Sequence, residues 1–303
     1  MTNTLLLIDG NGLLHRSFHA LPLFTMKNGQ PTNAIYGFAT MLYRATSDFK
    51  PTHVAVCFDT PQPTFRKKIF KDYQIHRPKM KDELKSQIPY VKEFLETAHI
   101  QYFEKGGYEA DDVIGTIVKK VNKKIRILIL TADRDMMQLV SESVYIITPQ
   151  KGLSEIGVYT IEKTKKKFLV TPSQIPDLKS LTGDPSDNYK GADGIGPKTA
   201  AQLLIRFKTL VGIYDHIGDI ASERVRISLI KHKNHALLSQ QLATIITNVP
   251  IDFDVKACYF EGYNEALKKF FLTMEFHTLI KRFFPTVKKK KEKTEEKKQL
   301  GLF

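Results

Sequence analysis

Residues 125–133 read IRILILTAD, a near-continuous apolar run closed by an aspartate. The run is too short for an ordinary helix, and its apolar residues follow one another instead of alternating. A strand buried on both faces has this pattern, and such strands belong to parallel sheets covered by helices. The same form recurs in TLLLID (4–9), HVAVCFD (53–59) and SVYIIT (143–148). The segments between them, NAIYGFATMLYRAT and DELKSQIPYVKEFLETA, have helical patterning. The expectation is an α/β domain over residues 1–170, a parallel sheet with helices on both faces.

Strand signals nearly vanish after residue 171. QIPDLKSLTG, GPKTAAQLLIRF, SERVRISLIKHK and HALLSQQLATIIT all read as helix, so residues 171–285 are expected to form a mainly helical second region. Residues 60–82 interrupt the α/β pattern with a long basic stretch laced with aromatics, densest at Arg66, Lys67, Lys68, Lys71, Arg77 and Lys79. It reads as an exposed excursion from the sheet. From residue 286 the chain is a lysine and glutamate tail ending QLGLF, too charged to pack and expected to be a disordered tether.

Lys and Arg number 46 against 32 Asp and Glu, a net charge of +14, and the tail accounts for only part of the excess. A field of that sign favours a polyanionic partner, nucleic acid ahead of an acidic membrane, because no long apolar span stands out. The N-terminal apolar run lacks a basic flank and a small-residue cleavage site, so it is not a secretory signal. Cys57 and Cys258 lie far apart in apolar company and fit reduced core residues of a cytoplasmic protein.

Three of the apolar runs end in acids: Asp9, Asp59 and Asp133. Parallel strands present their carboxyl ends at one edge, so these three should meet in one crevice. GYEADD adds Glu109, Asp111 and Asp112 at the start of a helix, where Glu109 and Asp112 share a face. TADRD adds Asp135, and TGDPSDN adds Asp184 and Asp187. Taken singly, an acid in a first helical turn or a glycine-rich turn is ordinary capping chemistry. Nine together would repel one another, and divalent cations resolve the repulsion. An all-oxygen set without His or Cys selects Mg²⁺ or Mn²⁺ over Zn²⁺. Two such ions about 3.5–4 Å apart serve phosphodiester cleavage.

KGADGIGPKTAAQLL places Gly191, Gly194 and Gly196 in a turn ahead of a helix that begins at Pro197, with Lys198 and Thr199 in its first turn. Backbone N–H groups at such a helix start can hold phosphate. With this hairpin in place, the chain resembles the bacterial 5′-3′ exonuclease and flap endonuclease family, the kind found as the N-terminal domain of DNA polymerase I. The resemblance covers about residues 3–285 and rests, in family order, on LLLIDG, NAIYGF, VAVCFD, TFRKKIFKDYQIHRP, GYEADD, TADRDMMQLV, TGDPSDN and GADGIGPKTAAQLL.

The resemblance implies a PIN-like sheet domain and a helical region with a helix-three-turn-helix motif at about 191–199 that grips duplex DNA, commonly with a K⁺ ion on backbone carbonyls. It implies metal-dependent hydrolysis on the 5′ side of branched or nicked duplexes. Asp9, Asp59, Glu109 and Asp111 would form one metal cluster; Asp112, Asp133, Asp135, Asp184 and Asp187 would supply the second. Residues 60–82 would form a helical arch around a 5′ single strand, with Arg66, Tyr73 and Arg77 acting on the phosphate. The family usually has lysine after the arch tyrosine; here YQIHR places Gln74 there, which puts the rate in doubt more than the reaction. No polymerase follows, so the expectation is either a stand-alone nuclease or a natural equivalent of the excised domain, a monomer working with a separate polymerase and ligase. QLGLF resembles the peptide by which bacterial replication proteins dock on the sliding clamp, with Gln299, Leu300, Leu302 and Phe303 matching and Gly301 departing. Competing readings are a PIN-type ribonuclease and a non-catalytic DNA-junction binder; the basic excursion and glycine hairpin oppose the first, and the full set of acids opposes the second.

Overall fold

A computed structural model describes residues 3–149 and 156–285; the expected tail and its QLGLF end lie outside the described residues. At its centre are β1 (Thr4–Asp9), β2 (His53–Phe58), β3 (Gln101–Glu104), β4 (Arg126–Leu130), β5 (Val144–Pro149) and β6 (Ile156–Tyr159). They form one sheet in the order β3-β2-β1-β4-β5-β6, parallel except for β6, which closes one edge antiparallel to β5. The four apolar runs are β1, β2, β4 and β5. The two edge strands were not foreseen, because β3 (QYFE) and β6 (IGVY) are short and only partly buried. A strand with one open side needs no continuous apolar run.

Strand parity sorts the apolar residues into two cores. Leu5, Leu7, Ala55, Cys57, Ile127, Ile129 and Ile146 face one side. Leu6, Ile8, Val54, Val56, Leu128, Leu130 and Ile147 face the other. Helices Gly10–Ala20, Asn33–Phe49 and Ile88–Thr97 cover the second side, and Ala110–Lys120 lies on the first. Both cysteines are free and buried in the first core.

The helical region after residue 171 does not carry a separate core. Ile175, Leu178, Leu181, Leu204, Ile213 and Leu229 join the same apolar cluster as Leu5 and Ile127. Helices Glu265–Thr273 and His277–Phe283 then cross to the opposite face, where the Phe271 ring stacks on Phe94 at 6.0 Å between centroids and Phe38 packs edge-on against Phe94. Sheet and helices are therefore fastened together on both faces. Among the described residues no helix is long and apolar enough to cross a membrane.

Phe271 is fully buried at this junction. Phe271→Ala should cost about 3–5 kcal/mol by loss of buried area and cavity formation, read as a shift in the urea midpoint. A cost below about 1 kcal/mol would mean the last two helices are not part of the sheet's core.

Candidate metal centre

Strand order reverses at β1, with β2 on one side and β4 on the other, so the crevice of this sheet opens at the carboxyl ends of these strands. Asp9 is the last residue of β1 and caps the helix Gly10–Ala20: Gly12 N–H donates to its Oδ1 at 2.8 Å. Thr131 Oγ1 donates to Asp9 Oδ2 at 2.9 Å and accepts from Asp133 N–H at 3.0 Å, so one threonine spaces two of the acids. Asp133 is not a strand end as expected; β4 stops at Leu130 and the aspartate sits three residues on, in the loop. Asp59 follows β2, and its Oδ1 accepts from Ala110 N–H at 2.7 Å. That bond docks the start of helix Ala110–Lys120, and with it Asp111, against Asp59.

Asp135, Asp184 and Asp187 form a second group, with one oxygen of each within 4.8 Å of the others. Asp135 N–H donates to Asp133 Oδ1 at 2.7 Å, which joins the two groups through the β4 loop. Asp184 lies in a small hairpin, Gly183–Asp184 paired with Tyr189–Lys190, and its Oδ1 accepts from Ser186 N–H at 2.8 Å. Lys179, on helix Ile175–Thr182, brings its ammonium onto Asp135 and onto Asp184 Oδ2, the latter at 2.5 Å. The sequence offered no sign of this lysine, which has the spacing of any helical surface residue.

The electrostatics report a shortage of positive charge. Burial, then the nearby Asp59 and Asp133, push Asp9 up to about 6 despite its hydrogen bonds from Gly12 and Thr131. Burial raises Glu109 to about 7, with Arg66 opposing and Asp112, Asp59 and Asp187 adding to the rise. Asp111 is raised well above its ordinary value by burial and by Asp133, Asp9, Glu109 and Asp59. Asp135 reaches about 6 through burial and Asp133, although Lys179 pulls it down. Asp59 and Asp187 are raised too, chiefly by burial. Asp184 alone moves down: burial would raise it, but the Lys179 and Ser186 hydrogen bonds outweigh burial. An all-oxygen set whose members resist ionising for want of counter-charge fits a hard divalent cation.

Asp112 stands apart from the other acids. It is fully buried, with Arg66 Nη1 donating to Oδ2 at 2.7 Å and Nη2 to Oδ1 at 2.9 Å, and with Ile246 N–H and Glu109 N–H donating at 2.9 and 3.1 Å. Its shared face with Glu109 is spent on capping the helix start. Arg66 also donates to the carbonyls of Leu242 and Thr244 at 2.8 and 3.0 Å and is 3% exposed. Arg66 therefore does not point outward from an exposed excursion. Breaking so buried a pair costs about 3–5 kcal/mol, because the remaining charge is stranded.

The excursion itself is helical only at Phe65–Ile69, continues in turns through residue 76, and meets the short helix Asp82–Lys85. Tyr73 is buried, its hydroxyl 3.4 Å from Glu109 Oε2 and 3.3 Å from Asp187 Oδ2, spanning the two acidic groups. Gln74, at φ +53°, donates through Nε2 to Asp187 Oδ1 at 2.9 Å and accepts from Arg77 Nη1 at 3.0 Å. Arg77, Lys68 and Lys71 remain exposed.

The glycine hairpin lies between helices Ile175–Thr182 and Pro197–Phe207. Gly194 takes φ +75°, and Gly191 is pressed so close that a Cβ there would lie 2.2 Å from the Leu181 carbonyl oxygen. Gly196 has φ −86° and open space around it, so the turn does not require glycine there. Ile195 is buried beneath, while Lys198 is exposed and Thr199 half-buried.

A switch-point crevice of carboxylates beside a basic excursion and a glycine hairpin is an arrangement suited to divalent cations and a phosphate backbone. The sequence matches the family described as 5′-3′ exonuclease, N-terminal resolvase-like domain, over residues 4–169, and its partner, 5′-3′ exonuclease, C-terminal SAM fold, over 170–266. The chain belongs to the 5′-3′ exonuclease family, nucleases that hydrolyse phosphodiester bonds. It is 39% identical over 280 residues to DNA polymerase I of Bacillus subtilis (strain 168), covering 92% of this chain and 32% of that one. DNA polymerase I of Caldicellulosiruptor bescii is 40% identical over 282 residues, at 92% and 33% coverage. The chain thus spans about a third of the length of these relatives. Among solved structures it shares its fold with T5 5′-exonuclease bound to divalent zinc ions (TM-score 0.67, 20% identity, 90% of this chain and 98% of that one). The fold is shared too with the catalytic core of Rad2 in complex with DNA substrate (TM-score 0.61, 17% identity, 93% and 91%).

The raised acids give a pH signature. A carboxyl whose folded pKa lies above its unfolded value destabilises the fold fully above the folded pKa, and the penalty fades as pH falls toward the unfolded value near 4. With Asp9 and Asp135 near 6 and Glu109 near 7, protons relieve the repulsion between about pH 7.5 and 5. The gain in Tm on adding Mg²⁺ to chelator-treated protein should be largest near pH 7.5 and shrink toward pH 5. Because it is a difference, it cancels the opposite trend from His15 and His53, whose pKa values burial lowers. A gain that grows on acidification would contradict the assignment.

Proposed function

We propose that the chain is a divalent-metal-dependent 5′-3′ exonuclease and structure-specific 5′-flap endonuclease on DNA, used in primer removal and repair. The supporting observation is the convergence of Asp135, Asp184 and Asp187 within 4.8 Å beside the Asp9, Asp59 and Asp111 group at the sheet's switch point. When bound, Mg²⁺ or Mn²⁺ would activate water and neutralise charge on the scissile phosphate. Asp9, Asp59, Glu109 and Asp111 would hold one ion; Asp133, Asp135, Asp184 and Asp187 would hold the second, some through water. Asp112, its oxygens already engaged, would position Glu109 with Arg66. Tyr73 keeps the two acidic groups at a fixed spacing, and Lys68, Lys71 and Arg77 would attract the phosphates of the 5′ strand.

The hairpin Gly191–Gly196, with Lys198 and Thr199 in the next helical turn, would take the backbone of the duplex, with K⁺ on its carbonyls. A PIN-type ribonuclease is the second reading, opposed by that hairpin and by the basic excursion. The finer expectations fit this reading: a cytoplasmic monomer, a separate polymerase and ligase, and a sliding clamp reached through QLGLF.

A labelled 5′-flap duplex with Mg²⁺ tests the reaction. Wild type should cleave it, and Asp133→Asn should be slower by roughly 10- to 100-fold or more; equal cleavage by both, or none by wild type, would sink the mechanism. Gln74 bears separately on rate. A neutral amide gives phosphate a weaker hydrogen bond than an ammonium, so Gln74→Lys should raise kcat on the flap, by up to about tenfold. A lower kcat with the circular dichroism spectrum intact would remove that account of the substitution.

A further inference from the structure

Among the acids at the crevice, Asp135 and Asp184 already hold a cation of the protein's own. Lys179 Nζ contacts both carboxylates, its side chain 18% exposed, and the two belong to the trio whose oxygens lie within 4.8 Å. Asp187, the third, receives only neutral donors: Gln74 Nε2 at 2.9 Å and the Tyr73 hydroxyl at 3.3 Å. One ammonium against three carboxylates leaves the group short of positive charge. The buried cation nearby, Arg66, is differently held. Its planar fork makes two bonds to Asp112 and two to backbone carbonyls, so it cannot leave without stranding all four. Lys179 is a point charge on a flexible four-carbon stem, with an edge open to solvent.

We infer that Lys179 is a displaceable counter-ion of the second carboxylate group, holding Asp135 and Asp184 together until a divalent cation takes its place and thereby setting how tightly that cation binds. This rests on the metal reading above. Lys179 is a positioning residue in this role: it preserves the spacing of the acids while they lack metal, and the ion must outcompete it. The cost of moving it makes the second ion the weaker of the two. A unit positive charge within hydrogen-bond range of the incoming ion opposes it strongly even at the effective dielectric of a protein surface.

The test is a Mn²⁺ titration of the full chain followed by electron paramagnetic resonance, without DNA and without a cleavage assay. Wild type should show a tighter and a weaker class of site. Lys179→Met should tighten the weaker class by about tenfold or more and leave the tighter class nearly unchanged. Its metal-free Tm should fall, and Mn²⁺ should restore it. Lys179→Arg, which keeps the charge and grips carboxylates by a fork, should leave the weaker class at wild-type affinity or below. A purely structural lysine would give the loss of Tm without the gain in affinity. Two Mn²⁺ classes in Lys179→Met at wild-type or weaker affinity would therefore overturn the inference while leaving the metal reading standing. No Mn²⁺ bound by wild type would overturn both.

Discussion

Repulsion among carboxylates gathered at one edge of a parallel sheet is the constraint on which the rest of this molecule depends. The topology makes the gathering unavoidable, because β1, β2 and β4 are parallel neighbours and the residues that leave them emerge on the same side. Burial compounds it, since it is the largest influence raising Asp9, Asp59, Asp111, Asp135 and Glu109 alike. The fold meets part of the repulsion with neutral hydrogen-bond donors that fix several of the acids in place. Thr131 spaces Asp9 from Asp133, Ala110 N–H at the helix start donates to Asp59, and Ser186 N–H donates to Asp184. Backbone N–H groups and hydroxyls keep an acid oriented and still leave its charge largely available to an ion.

The buried Arg66 does part of the remaining work. Arg66 gathers Asp112, the loop at 242–246 and the base of the basic excursion into one closed set of bonds, which ties the excursion to both the sheet and the helices after residue 171. A buried ion pair is a poor source of stability compared with apolar packing, but it tolerates little error in geometry. That is an advantage where Glu109 must be held 3.4 Å from the same guanidinium, facing the crevice. The shared apolar core does the same for larger parts: helices before and after residue 171 bury side chains in one cluster, so the hairpin and the crevice keep a fixed separation.

Much of this was legible in the sequence because it depends on local pattern. Continuous apolar runs gave the four buried strands, and acids at or just past their ends gave the crevice, since period and direction alone place them. The edge strands β3 and β6 were not legible, because half-buried strands of four residues leave almost no pattern. Composition misdirected the reading of residues 60–82. A stretch rich in lysine and arginine reads as solvated, yet Arg66 and Tyr73 turn inward and the segment is mostly turns. The pairing of Asp112 and the contacts of Lys179 were not legible for a related reason. Their roles are set by partners far along the chain, Ile246 for one and Asp135 for the other, and no spacing within a helix encodes such a meeting. One-dimensional regularity places a residue on an element; chemistry conferred by tertiary contact is not written in it.

Charge is arranged here in a sequence of exchanges. Exposed Lys68, Lys71 and Arg77 present single positive charges to solvent, where they would attract a polyanion while holding each phosphate only weakly. Deeper in, the sign inverts, and a phosphate that reaches the acids unaccompanied would be repelled. Passage from one zone to the other therefore requires cations at the boundary. Tyr73 and Gln74 sit on that boundary, contributed by the basic excursion yet hydrogen-bonded to Asp187. Any ion that draws Asp187 into its coordination shell must compete with those two bonds, so the position of the excursion and the occupancy of the acidic group are physically linked through one carboxylate. A site built this way would present its basic surface at all times, while its acidic centre would accept phosphate only with cations in place.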